Sequence, residues 1–179
     1  NKWGQHDYTM EGAQGGSSFN AIIEKGFGTP KNAKEFTELA QWVNYDGYRA
    51  MFESRSLNRK GLLLWMTHPA WPSMVWQTYD YYFEPTAGYF GSMKGNEPLH
   101  IQWNSATNQI EVVNYSAGSH PALEATAQLI NMDGKVVWER KAELSSEEDT
   151  TKRPFSLEFP KELSAAHFVK LYLREGDKV

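Results

Sequence analysis

No cysteine occurs among the 179 residues. That absence excludes disulfides, thiolate metal sites and a cysteine nucleophile, although it does not decide the compartment. An excess of positive charge is also missing: 18 Lys and Arg stand against 22 Asp and Glu, a formal net charge of -4. Without a basic field to draw phosphates, neither nucleic acid nor a membrane surface is expected as a partner. Apolar runs such as Leu62 to Met66 fall far short of the about 20 residues of a membrane helix. The chain starts at Asn1 without Met or a signal peptide, so the expectation is a piece of a longer protein whose localisation signal lies elsewhere. No residue pattern asks for a cofactor or a metal.

What the chain has in quantity is aromatic residues, with seven Trp and nine Tyr. Flat apolar faces with a polar edge suit stacking on sugar rings, but their first use is in cores. They concentrate in Gly61 to Pro98, GLLLWMTHPAWPSMVWQTYDYYFEPTAGYFGSMKGNEP. This stretch opens on Leu62 to Met66, bounded by Gly61 and Pro69, which has the pattern of a strand buried on both faces. An aromatic segment follows, Trp71, Trp76, Tyr79, Tyr81, Tyr82 and Phe83, then a short helical pattern.

Upstream, GAQGGSS at Gly12 to Ser18 is a loop composition, and Phe19 to Lys25 is helical, with Ser18 placed to cap it and Gly26 to end it. His6-Asp7 has the residue types of a catalytic dyad. Adjacent residues seldom aim at one atom, however, and no Ser-containing nucleophile elbow exists, so a loop is expected. Asn32 to Phe52 is the clearest helix, with Asn32 and Glu35 at capping-box spacing. Phe36, Leu39, Ala40, Val43, Gly47, Ala50 and Met51 form one apolar face, and Glu35, Glu38, Gln41 and Arg49 lie on the other side. Glu53 to Lys60 is a polar link. Helix, loop, buried strand and second helical segment is the rhythm of an α/β barrel, yet only one such strand is present, so the barrel would be incomplete.

From Leu99 the apolar period becomes two. Strands are expected over Leu99 to Trp103, Gln109 to Tyr115, Leu123 to Met132, Lys135 to Ala142, Phe155 to Phe159 and His167 to Arg174. Asp133-Gly134 marks a hairpin, Ser145 to Asp149 a solvated acidic loop, and Arg174 to Val179 the start of a further hairpin. Short strands separated by turns indicate an immunoglobulin-like β-sandwich, which has seven or more strands as a rule, so one is missing from this set. The overall expectation is an α+β chain: residues 1–97 as the terminal helices and last strand of a (β/α)8 barrel, and residues 98–179 as the sandwich.

Three segments, NYDGYRAMFES, GLLLWMTHPAWPSMVWQTYDYYFEP and YFGSMKGNEPLHIQW, give the chain a resemblance to the C-terminal part of glycoside hydrolase family 2, in its exo-β-D-glucosaminidase and β-mannosidase-like branch. The resemblance covers nearly the whole chain, with SMKGNEP departing mildly from the family's Lys-Lys-Ala before Glu-Pro. It implies an enzyme that removes terminal β-linked sugars with retention, using two carboxylates about 5 to 5.5 Å apart. In the family both lie upstream of the region that resembles this chain, so none of Glu11, Glu24 or Glu53 takes their place. The catalytic residues would be outside, the fragment alone inactive, and its partners a carbohydrate substrate and the remainder of the barrel in cis. Enzymes of this type are commonly exported.

The resemblance places the family's substrate-floor Trp at Trp65, at the end of the eighth strand, where a sugar's C–H face would stack on the indole. Many related barrels have a cis non-proline peptide after that Trp, and Trp65-Met66 is the corresponding bond. Plain barrel core is the other reading of Trp65. His68, Trp71 and Asp80 are candidates for the rim of the site, each with a structural reading beside it. A second hypothesis makes the sandwich a carbohydrate-binding module that uses Trp103, Tyr115 or Trp138, for which two or three coplanar exposed aromatics on one face are required. An exposed strand edge beside the apolar helix face would also favour self-association of the fragment.

Overall fold

The computed structural model describes residues 2–8, 16–54, 61–74 and 77–178. Glu11, Trp76, the link over 55–60 and the final Val179 lie outside the described residues. The chain divides into two compact units, Asn1–Asn96 and Glu97–Val179. Helices occupy the first and strands the second, because the apolar period changes between them.

In the first unit a 3-10 turn, Lys2–His6, precedes helices α1 (Gly16–Phe27), α2 (Ala33–Glu53) and α3 (Ala87–Gly95). The expected Phe19 to Lys25 helix is longer at both ends. Ser18 is inside it and does not cap it, and the glycine with a left-handed φ of 85° is Gly28, whose amide donates to Glu24 O at 2.9 Å. Gly26 carries on in helical geometry, which a single interior glycine permits. Helix α2 starts as expected. The Asn32 side chain accepts from the Glu35 amide, while the Glu35 carboxylate reaches one residue past the capping-box position to the Lys31 amide at 2.6 Å.

Much of the apolar stripe of α2 is left open, as expected of an apolar helix face that favours self-association, and the helix is buried on another line. Tyr48 and Phe52 are its buried residues, whereas Gly47, Ala50 and Met51 are exposed. Helix α3 packs along the line Gln41, Tyr45, Tyr48, Arg49 and Phe52. The Ala87 amide donates to Gln41 Oε1 at 2.7 Å, and Gly88, Gly91 and Gly95 turn toward Tyr48, the Tyr45 carbonyl and Phe52. Close approach to a glycine-lined helix needs no apolar stripe on α2, so Gln41 and Arg49 sit at a packing face that periodicity assigned to solvent.

Leu62 to Met66 is not a strand. Among the described residues no neighbouring strand pairs with it, and Leu63 is 99% exposed. A lone extended segment has no ladder in which to place its N–H and C=O groups.

The second unit holds strands β1 (Leu99–Asn104), β2 (Gln109–Asn114), β3 (His120–Asn131), β4 (Val136–Ser146), β5 (Thr150–Ser156) and β6 (His167–Arg174). They form two antiparallel three-stranded sheets, in the orders β1-β2-β5 and β4-β3-β6. Ile110 and Val112 from the first sheet, Leu123, Ala125, Ala127 and Leu129 from the second, and Phe155 and Leu157 share one core. Met132 to Gly134 closes the β3-β4 hairpin, with Gly134 at φ 84° as a three-residue turn requires. Two placements depart from expectation. Strand β4 continues through the start of the acidic stretch, and Ser146 is fully buried there. Strand β5 begins at Thr150, upstream of the expected Phe155 start. It uses the β-branched pair Thr150-Thr151 and leaves Pro154 beside the β2-β5 register shift, where no partner needs its missing N–H. After β6, Glu175 and Lys178 form a bridge around Gly176, a tight turn in the place of the expected hairpin.

Candidate functional site

The site is built on the segment Gly61–Met74 and the aromatic turn that closes behind it. The Thr67 carbonyl accepts from the Tyr79 amide at 2.9 Å and from Thr78 Oγ1 at 3.2 Å, which ties the chain just past Trp65 to the buried pair Gln77-Thr78. Thr86 locks the far side of the turn, donating from its amide to Thr78 O at 2.9 Å and from Oγ1 to Gln77 O at 3.0 Å. Between them Tyr79 bridges Pro85, and the tip Asp80–Glu84 reverses the chain.

Asp80 organises that tip. Its Oδ1 accepts from the Tyr82 amide at 2.8 Å and the Glu84 amide at 2.9 Å, its own amide donates to Glu84 O at 2.9 Å, and its carbonyl accepts from the Phe83 amide at 3.2 Å. Asp is suited to this because a short side-chain acceptor can mimic a backbone turn. Phe83 lies in left-handed backbone at φ 65° and stacks on His68, ring centroids 4.2 Å apart and planes 17° apart. The Nδ1 of His68 is buried without a hydrogen-bond partner.

Of the four residues singled out from sequence, Trp65 is 78% exposed, and its bond to Met66 is the cis non-proline peptide that the resemblance implied. His68 and Asp80 meet at the aromatic turn, one through ring stacking on Phe83 and the other through its amides. Trp71 is tied elsewhere: its Nε1 donates to Asp7 Oδ2 at 2.8 Å. His6 joins the same contact, its ring against the Pro72 carbonyl and its own carbonyl accepting from the Met74 amide at 2.8 Å. His6-Asp7 is thus a brace for the Trp71 turn. Sequence reasoning passed over Phe83 and this brace. The spacing Asp80, Tyr82, Glu84 was a legible sign of the turn, whereas nothing in the residue types reports a left-handed Phe.

Trp103 and Trp138 are half-buried against the core, Trp138 facing Phe155 at 6.4 Å, and Tyr115 is half-buried as well. Among the described residues no three His, Asp or Glu are placed to hold a metal ion, and no helix is long and apolar enough to cross a membrane.

None of the known protein-family models matches the chain. The exo-β-D-glucosaminidase of Amycolatopsis orientalis is 36% identical over 123 residues, covering 65% of this chain and 12% of that protein. The mannosylglycoprotein endo-β-mannosidase of Lilium longiflorum is 38% identical over 116 residues, 63% of this chain and 12% of that protein. Among solved structures, a complex of the A. orientalis exo-chitosanase CsxA with PNP-β-D-glucosamine superposes with a TM-score of 0.86 at 27% identity, covering 98% of this chain and 22% of that one. The chain therefore spans only a small part of the length of the relatives it matches. By sequence and by fold together, it is a homologue of part of the exo-β-D-glucosaminidases and β-mannosidases, which are glycoside hydrolases.

Proposed function

We propose that this chain is the C-terminal part of a retaining exo-β-glycosidase that removes terminal β-linked glucosamine or mannose-type sugars. The first unit is the closing portion of its (β/α)8 barrel, and the second an immunoglobulin-like accessory sandwich. The observation that carries the reading is Trp65: a large indole left 78% exposed beside an ordered aromatic turn, in a chain that superposes on an exo-chitosanase over 98% of its length. An indole face offers a flat apolar surface to a pyranose ring and orients it without forming a bond. His68, Trp71 and Asp80 support that surface: His68 and Asp80 through the aromatic turn, Trp71 through the His6-Asp7 brace. In this reading the acid/base and nucleophile carboxylates come from the preceding part of the protein, so the chain orients substrate and does not itself move a proton.

The test compares the isolated chain with the longer protein that contains it, on aryl β-glucosaminides and β-mannosides. The longer protein is expected to turn over one of them and the isolated chain neither. Trp65→Ala in the longer protein should lower kcat/KM on the order of 10²-fold, the scale of a misplaced substrate. Hydrolysis by the pure chain that disappears on changing a single carboxylate within it would overturn the reading.

A further inference from the structure

We propose that Asn114 is closed to N-glycosylation by the fold itself: a glycan on its side chain and the native end of β2 exclude one another. Asn114-Tyr115-Ser116 is the one Asn-X-Ser/Thr sequence in the chain, without proline in the middle, and so has the acceptor pattern for N-linked sugar. Such acceptors ordinarily sit in surface loops, whereas this one starts on a strand. The inference bears on any export of the protein through a glycosylating compartment, and it does not depend on the reaction proposed above.

Asn114 is the last residue of β2, opposite Leu99 of β1 on one side and Thr150 of β5 on the other. Strand alternation puts it on the face of β2 that carries Ile110 and Val112 into the core, and it is 1% exposed. Both ends of its side-chain amide are in use. Nδ2 donates to Gly118 O at 2.6 Å, and Oδ1 accepts from the Ala117 amide at 3.1 Å. These bonds close the turn that leads from β2 toward β3, with Gly118 in left-handed backbone at φ 79°. Glycosylation forms a bond from Nδ2 to C1 of a sugar, breaks the bond from that C1 to the lipid diphosphate that carries the oligosaccharide, and releases one Nδ2 proton. Several sugar rings would then leave from a side chain with almost no surface toward solvent, so the strand end and its turn must open first. Further sequence in a longer protein can only cover this side chain more. Ser116, the third residue of the acceptor pattern, is exposed and can be changed without touching Asn114.

The experiment offers an oligosaccharyltransferase and its lipid-diphosphate oligosaccharide two acceptors, the folded full chain and a capped synthetic peptide of residues 108–122. Mass spectrometry should find the peptide glycosylated at Asn114 and the folded chain modified there at least about 100-fold more slowly, since only the opened strand end can react. A smaller ratio overturns the proposal. A peptide that stays bare overturns it too, because the closure would then lie in the local sequence and not in the fold. Two variants check the reason for the closure. Ser116→Ala removes the acceptor pattern and should leave the melting temperature within about 2 °C, whereas Asn114→Ala, which removes both side-chain bonds, should lower it by about 4–8 °C or more. An Asn114→Ala chain that melts with the unmutated one shows that the side chain is not needed where it lies, and the proposal fails.

Discussion

At the scale of single residues, the buried polar groups show where the molecule is most sensitive. Glu111, in the middle of β2, is fully buried, and its carboxylate accepts from Gln102 Nε2 at 2.9 Å, Asn104 Nδ2 at 3.3 Å and Arg153 Nε at 3.0 Å. Glu111→Leu would strand the buried Gln102 amide, and a buried donor left unpaired costs about 1–3 kcal/mol, so urea denaturation should register a loss of that size. Tyr48 gives a second residue-level test. Burial raises its pKa above the ordinary 10.0, so the fold favours the neutral phenol. Its contribution is fully present below about pH 10, where the unfolded chain is still protonated, and is lost as pH rises through the higher folded value. Denaturation from pH 8 to about pH 11 should therefore show a steeper alkaline loss in the natural protein than in Tyr48→Phe. Tyr8, also raised by burial, contributes in the same direction.

Helices and strands give a sharper contrast, because the same substitution should have opposite signs at two places. A Cβ added at Gly91 would lie 2.3 Å from the Tyr45 carbonyl oxygen, a backbone atom that cannot yield without moving α3 away from α2. Gly91→Ala is expected to destabilise by about 1–3 kcal/mol despite the better helix propensity of Ala. At Gly47, on the exposed side of α2, nothing lies within 4 Å, and Gly47→Ala should stabilise by about 0.5–1 kcal/mol. Thermal melts of the two variants followed by helical circular dichroism check both signs at once. The α2-α3 pair also shows where the sequence was legible and where it was not. Helix α2 was plain from Asn32, Glu35 and the recurrence of Phe36, Leu39, Ala40 and Val43, yet the line on which it meets α3 was not. Periodicity weighs apolar side chains, and this contact sets glycines of α3 against the Tyr45 and Arg49 backbone as well as against Tyr48 and Phe52. The strands of the second unit were legible because half-buried sheets alternate. Strand β5 was displaced because the Thr150-Thr151 start looks polar and Pro154 looks like a break until the register shift beside it is known. At the site, the cis bond after Trp65 was anticipated from the resemblance, while the left-handed Phe83 depended on a backbone angle that composition does not encode.

At the scale of the whole molecule, the exposed apolar surface of the first unit decides how the isolated chain behaves. Leu63 is 99% exposed and Trp42 57%, and Met51 and Met66 are open to solvent as well. The extended segment Gly61–Leu64 has no sheet partner among the described residues. In relatives of which this chain covers 12% by length, most of the molecule is additional sequence, and the proposed occupant of that surface is the remainder of the barrel. Without it, large apolar side chains beside unpaired backbone favour association with another copy. Sedimentation velocity on the isolated chain should thus show a weight-average coefficient that rises with concentration, and Trp42→Glu combined with Leu63→Asp should flatten that rise while the sandwich still melts cooperatively. A concentration-independent monomer would mean that this surface is stable in water by itself. The reason for assigning its cover to the rest of the barrel would then be gone, whatever the fate of Trp65 as a sugar-binding residue.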